Sequence, residues 1–133
     1  MRDTKPKSTI LIIDDDESFA CGVRDFLADN GYAAFVHTNP ITIPFVVREI
    51  EPDLVLLDVG IPVLAGPSFL KAGARRIFQS APVILFSGIQ SERLARLCGE
   101  SGADGYLSKS SSCDDILDAI TLRLSDQRAA TQH

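Results

Sequence analysis

The sequence predicts an α/β fold in which a five-stranded parallel sheet is covered by helices on both faces. Three observations predict it. Five short apolar runs recur along the chain, Thr9–Ile13, Tyr32–His37, Asp53–Leu57, Pro82–Phe86 and Gly105–Ser108, and they lack the strict apolar–polar alternation of a strand with one wet face. A longer segment of helical or mixed pattern follows each run, as crossover connections between parallel strands require. Four of the runs also stop abruptly at a polar or charged residue: Asp14 after the first, Asp58 after the third, Ser87 after the fourth and Lys109 after the fifth.

The intervening segments are justified in turn. Ser18–Asn30 carries Phe19, Val23, Phe26 and Leu27 at helical spacing, and Gly31 is its C-terminal stop. In Pro40–Ile50 the residues Ile43, Val46, Val47 and Ile50 suit a helix, but Pro44 would break an interior turn. A short helix beginning near Pro44 is therefore expected, since proline is comfortable in a first turn. A loop with Gly60, Pro62 and Gly66 leads to a helix around Pro67–Gln79, weakened by Gly73. Ser91–Ser101 places Leu94, Leu97 and Cys98 on one side of a helix. The last helix, Ser112 to Leu124, opens on Ser112 and Asp115 as a capping pair and buries Ile116, Leu117, Ala119, Ile120 and Leu124. Residues 1–8 are expected to be disordered, 9–124 to form one domain, and the polar segment 125–133 to be a tail or linker.

Composition narrows the class. A chain of 133 residues suits a single core, and its formal charge of −5 offers no basic footprint for direct nucleic-acid binding. Cys21, Cys98 and Cys113 are odd in number and far apart, which suggests neither a zinc site nor a disulfide framework. No apolar run approaches a membrane span, and Met1 to Ser8 has no signal-peptide core. A soluble, cytoplasmic protein with reduced thiols is expected.

A parallel sheet brings its strand ends to one edge, where ligands of such folds bind. Asp14, Asp15, Asp58, Ser87 and Lys109 would meet there. Three carboxylates repel: at ~5 Å and an effective dielectric near ~20 each pair costs about 3 kcal/mol. A divalent cation offsets that cost, and all-oxygen ligands select a hard ion such as magnesium. Lys109 can meet a phosphoryl oxygen and Ser87 can donate to one. A carboxylate nucleophile, a metal and a cation together describe phosphoryl transfer.

The stretches Ile-Leu-Ile-Ile-Asp-Asp at 10–15, Pro-Asp-Leu-Val-Leu-Leu-Asp-Val-Gly-Ile-Pro at 52–62, Gly66, Pro-Val-Ile-Leu-Phe-Ser-Gly at 82–88 and Gly-Ala-Asp-Gly-Tyr-Leu-Ser-Lys at 102–109 carry a resemblance. In this order and spacing the chain resembles the receiver domains of two-component response regulators, from about Thr9 to Leu124. The resemblance implies a flavodoxin-like doubly wound (βα)5 fold with strand order 2-1-3-4-5. It implies that Asp58 is the phosphoacceptor, and that Asp14, Asp15, Asp58 and the backbone carbonyl of Gly60 hold magnesium, with manganese as a substitute. Ser87, Gly88 and Lys109 would surround the phosphoryl group, and Ser87 and Tyr106 would form the switch. The implied donor is a cognate histidine kinase or phosphotransfer protein. The implied output is a further domain or protein partner on the face made by the fourth helix, fifth strand and fifth helix, which is also a candidate homodimer contact. Neither nucleic acid nor membrane is an expected partner, and the domain is a switch, not an enzyme. The segment 105–117 resembles receivers joined to LuxR-type helix-turn-helix domains, but the sequence leaves the output open.

Plainer readings exist for single residues. Asp14 and Asp15 could cap the following helix, where Asp16 and Glu17 sit as first-turn acids, and Tyr106 could simply pack on the last strand. Where the family commonly has proline after the lysine this chain has Ser110, so either a trans bond or a strained cis one is expected at Lys109–Ser110. Two other functions compete. A haloacid-dehalogenase-like phosphatase would use Asp14 as nucleophile and leave Asp58 without a role. A pseudo-receiver would keep the fold as a docking module only.

Overall fold

A computed structural model describes the backbone of residues 8–60 and 76–131, and side chains as far as residue 126. Its elements are β1 (Thr9–Ile13), α1 (Glu17–Asp29), β2 (Ala33–His37), α2 (Ile43–Ile50), β3 (Leu54–Leu57), β4 (Val83–Ser87), α3 (Ser91–Ser101), β5 (Gly105–Ser108) and α4 (Cys113–Thr131). The strands form one sheet in the order β2-β1-β3-β4-β5, and every pairing is parallel. The expected order is therefore found.

The apolar runs lack alternation because both faces of the sheet are buried. Successive strand side chains point to opposite faces. Ile10, Ile12, Leu54, Leu56, Ile84 and Phe86 pack against Ala20, Val23 and Leu27 of α1 and Ile116, Ile120 and Leu124 of α4. Leu11, Ile13, Val55, Leu57, Val83 and Leu85 pack against Ile43 and Val47 of α2, Leu94 of α3, and Phe78. From β1 the chain crosses to β2 on one side and later to β3 on the other, so the topology switches between the carboxyl ends of β1 and β3. The functional side chains gather there.

Local chemistry accounts for the element ends. Asp16 caps α1, its Oδ1 accepting the Phe19 N–H at 3.1 Å. Gly31, at φ 92°, and Gly102, at φ 81°, supply the left-handed turns after α1 and α3. Pro44 is the second residue of α2, and Pro40 opens the 3-10 turn Pro40–Thr42 ahead of it. Both prolines lie where no helical N–H is needed. Ser112 Oγ accepts the Asp115 N–H at 3.1 Å, as the sequence suggested. The cysteines are free: Cys21 and Cys98 lie on α1 and α3, and Cys113 opens α4.

Several expectations change. The helix expected around Pro67–Gln79 lies almost wholly outside the described residues, as do Pro62, Gly66 and Gly73; the description resumes at Arg76 in a turn. The helix expected to end at Leu124 continues to Thr131, so residues 125–131, expected as a tail or linker, are helical. That stretch is polar, but Gln127, Arg128, Ala129 and Ala130 are good helix formers and no glycine or proline interrupts them. No cis peptide occurs among the described residues, so Lys109–Ser110 is trans. No described helix is long and apolar enough to cross a membrane.

Candidate functional site

Backbone pairing carries three site residues one step past their strands. The Asp14 N–H donates to His37 O (3.2 Å), the Asp58 N–H to Ile13 O (2.9 Å) and the Lys109 N–H to Ser87 O (2.9 Å). Each residue thus extends the parallel ladder at the carboxyl edge, and the sheet fixes where its side chain begins. Asp14 is 1% exposed, Asp58 5% and Ser87 2%, whereas Asp15 is exposed.

The three carboxylates meet as the sequence predicts. Asp14, Asp15 and Asp58 each offer an oxygen within 4.8 Å of the others. Asp14 Oδ1 accepts the Asp16 N–H at 2.9 Å, and Asp58 Oδ1 accepts the Gly60 N–H at 3.0 Å. A Cβ on Gly60 would stand 3.4 Å from both Asp58 carboxylate oxygens, in van der Waals contact with the group that the glycine N–H serves. Lys109 Nζ lies 2.9 Å from Asp14 Oδ2 and 3.5 Å from Asp58 Oδ2. Of these two carboxylates Asp14 is the closer partner of the lysine.

These neighbours set the electrostatics. Burial pushes the Asp58 carboxyl above its ordinary range, and Asp14 pushes it further, against the Gly60 N–H and Lys109. Burial alone would lower Lys109, but the hydrogen bond to Asp14 and the charges of Asp58 and Asp14 hold its ammonium above the usual value. One lysine cannot neutralise three carboxylates. The donor set is all oxygen, closely spaced and left with excess negative charge, which suits a hard divalent cation.

The remaining predicted residues divide. Ser87 Oγ accepts the Ile89 N–H at 3.3 Å, a bond that uses a lone pair and leaves the O–H to donate. Gly88 is exposed, and a Cβ there would meet nothing within 4 Å among the described residues. Tyr106 is 46% exposed and lines a cavity of ≈ 160 Å³ with Ile84, Gly105, Ala119, Leu122 and Arg123, between β5 and α4. One neighbour was missed as a site residue. The Phe19 ring centroid lies 4.7 Å from Lys109 Nζ. Helical spacing had marked Phe19 only as core, and no local signal shows which core residue lies under a lysine 90 positions away.

Comparison with known proteins agrees with this geometry. The family model described as the response regulator receiver domain matches residues 10–121. The transcriptional regulatory protein YvcP of Bacillus subtilis is 33% identical over 102 residues, covering 75% of this chain and 41% of that protein. The chemotaxis protein CheY of Halobacterium salinarum is 26% identical over 112 residues, covering 84% and 92%. A solved LuxR-family two-component response regulator from Aurantimonas sp. SI85-9A1 superposes with a TM-score of 0.75 at 26% identity, covering 90% of this chain and 86% of that one. The chain thus spans under half of the first relative and nearly all of the second.

Proposed function

The chain belongs to the response regulator receiver domain family, and on that premise we propose that Asp58 accepts a phosphoryl group from a histidine kinase or phosphotransfer protein. The observation that carries the proposal is the meeting of Asp58 with Asp14 and Asp15 within 4.8 Å, answered by Lys109 at 3.5 Å. A carboxylate oxygen of Asp58 bonds to phosphorus as the donor's P–N bond breaks, and the electron pair stays on the imidazole, which takes up a proton. Lys109, already seated between Asp14 and Asp58, turns to a phosphoryl oxygen. The Ser87 O–H donates to another, and Gly88 leaves room for the donor to approach.

Asp14, Asp15, Asp58 and the Gly60 carbonyl would hold magnesium, or manganese in its place. The ion supplies charge neutralisation at the phosphoryl oxygens. New contacts at Ser87 and Lys109 then bias a two-state element that includes Tyr106, whose ring is half-exposed. The face that would report the change is α3–β5–α4, the helices expected as fourth and fifth, and it would meet an output domain, a protein partner or a second copy. The domain acts in the cytoplasm as a switch, with slow self-phosphorylation and slow loss of the phosphoryl group.

The test is intact mass after incubation with magnesium and a small acyl phosphate. Wild-type protein should gain one phosphoryl group, and Asp58→Asn should gain none. No gain by the wild type overturns the proposal. Steady turnover retained by Asp58→Asn would favour the phosphatase reading instead.

A further inference from the structure

Lys109 directly follows β5, an edge strand, and its ammonium sits at the tip of a four-carbon stem with many rotamers. Two carboxylates draw the ammonium from one side. On another side lies an aromatic face: Phe19, with its ring centroid 4.7 Å from Nζ. Such a face attracts a cation through its quadrupole and offers no lone pair that competes for the ammonium hydrogens.

The ring itself is held from two directions. Its backbone N–H donates to Asp16 Oδ1 at 3.1 Å, and the Asp16 N–H donates to Asp14 Oδ1 at 2.9 Å. Asp14 Oδ2 then takes Lys109 Nζ at 2.9 Å, which closes a circuit through Phe19, Asp16, Asp14 and Lys109. Phe86 meets the Phe19 ring with centroids 5.5 Å apart and planes at 52°, a tilted aromatic contact. Phe86 directly precedes Ser87. Phe19 is therefore tied to the acidic turn through its backbone, while its ring meets the hydroxyl-bearing strand and the lysine.

We propose that Phe19 is a positioning residue, whose ring face holds the Lys109 ammonium over the acidic site. The inference rests on the proposed role of Lys109 toward the phosphoryl group. When Lys109 leaves Asp58 for a phosphoryl oxygen, the ring keeps the ammonium within the site without binding it as an anion would. Core packing alone is the competing explanation, because Phe19 is also partly buried against the core.

Fluorinated phenylalanines placed only at position 19 separate the two, since they weaken the ring quadrupole while nearly keeping its shape. With magnesium and a small acyl phosphate, the phosphorylation rate should fall stepwise with fluorine number, by roughly threefold to tenfold in all. Phe19→Tyr should keep the wild-type rate. In the same proteins without phosphodonor, the Lys109 side-chain methylene signals should be ring-shifted upfield in wild type and move stepwise toward free-lysine positions. Unchanged rates and Lys109 signals across the fluorinated series overturn the proposal, even if Phe19→Leu is slow, because that pattern means packing only. If the wild type takes up no phosphoryl group, the reading of Asp58 fails, and the Lys109 signals still decide whether the ring holds the ammonium.

Discussion

The central strands and the edge strand β5 contribute to the site in different ways. β1, β3 and β4 are buried almost throughout, and Asp14, Asp58 and Ser87 follow or end them at 5% exposure or less. β5 is only partly buried, and it supplies Lys109 and the half-exposed Tyr106. The acidic half of the site is thus built on a clamped platform. The cationic half stands on the margin of the sheet, held by side-chain contacts to Asp14, Asp58 and Phe19. A switch benefits from that division: the reacting carboxylate must stay in place, whereas the residues that report its charge must be able to move.

The comparison can be broken most directly through stability. Leu56, 1% exposed in β3, should cost about 2–5 kcal/mol when cut to alanine, because the clamped centre cannot close the cavity. Tyr106→Ala, at 46% exposure, should cost less than about 1 kcal/mol. Urea unfolding of the two variants measures this, and equal losses would mean that β5 is clamped as firmly as the centre.

A smaller effect comes from the charge on the platform. The Asp58 carboxyl is raised from its ordinary 3.8, chiefly by burial, so its ionised form is penalised on folding. That penalty is complete above the raised value and vanishes as pH falls below the ordinary one. Asp58→Asn should therefore melt higher than wild type near neutral pH, by roughly a few degrees, with the difference closing in acid. The amide can still accept the Gly60 N–H, and Lys109 keeps Asp14 at 2.9 Å. Thermal melts from pH 7 downward test it; a variant that melts lower throughout would show that Lys109 depends on the Asp58 charge.

Much of this platform is legible in the sequence. Runs such as Ile10–Ile13 and Leu54–Leu57 show no alternation because neither face is wet, and the residue that ends each run marks the sheet edge. The margin is less legible. Lys109 could be placed at a strand end, but its closer pairing with Asp14 than with Asp58 depends on side-chain conformation. Phe19 looks like any other core position of α1, because helical spacing reports a face and not a height along the sheet. The extra helical turns after Leu124 were hidden by polarity, which follows exposure and not backbone preference.

The smallest effect separates the proposed metal from the fold. Asp15 is the one exposed member of the carboxylate cluster, so in the metal-free protein solvent screens its charge and its repulsion with Asp14 and Asp58 falls far below that of a buried pair. Asp15→Asn should leave the metal-free stability within about 0.5 kcal/mol of wild type. Magnesium should raise the melting temperature of the wild type through linkage to the folded state. A severalfold loss of affinity in Asp15→Asn would remove about 1 kcal/mol of that added stability at the same magnesium concentration. Melts with and without magnesium compare the two proteins. An undiminished magnesium shift would confine the ion to Asp14, Asp58 and backbone oxygen, whereas a diminished shift on an unchanged metal-free baseline would mark Asp15 as a residue kept for the ion alone.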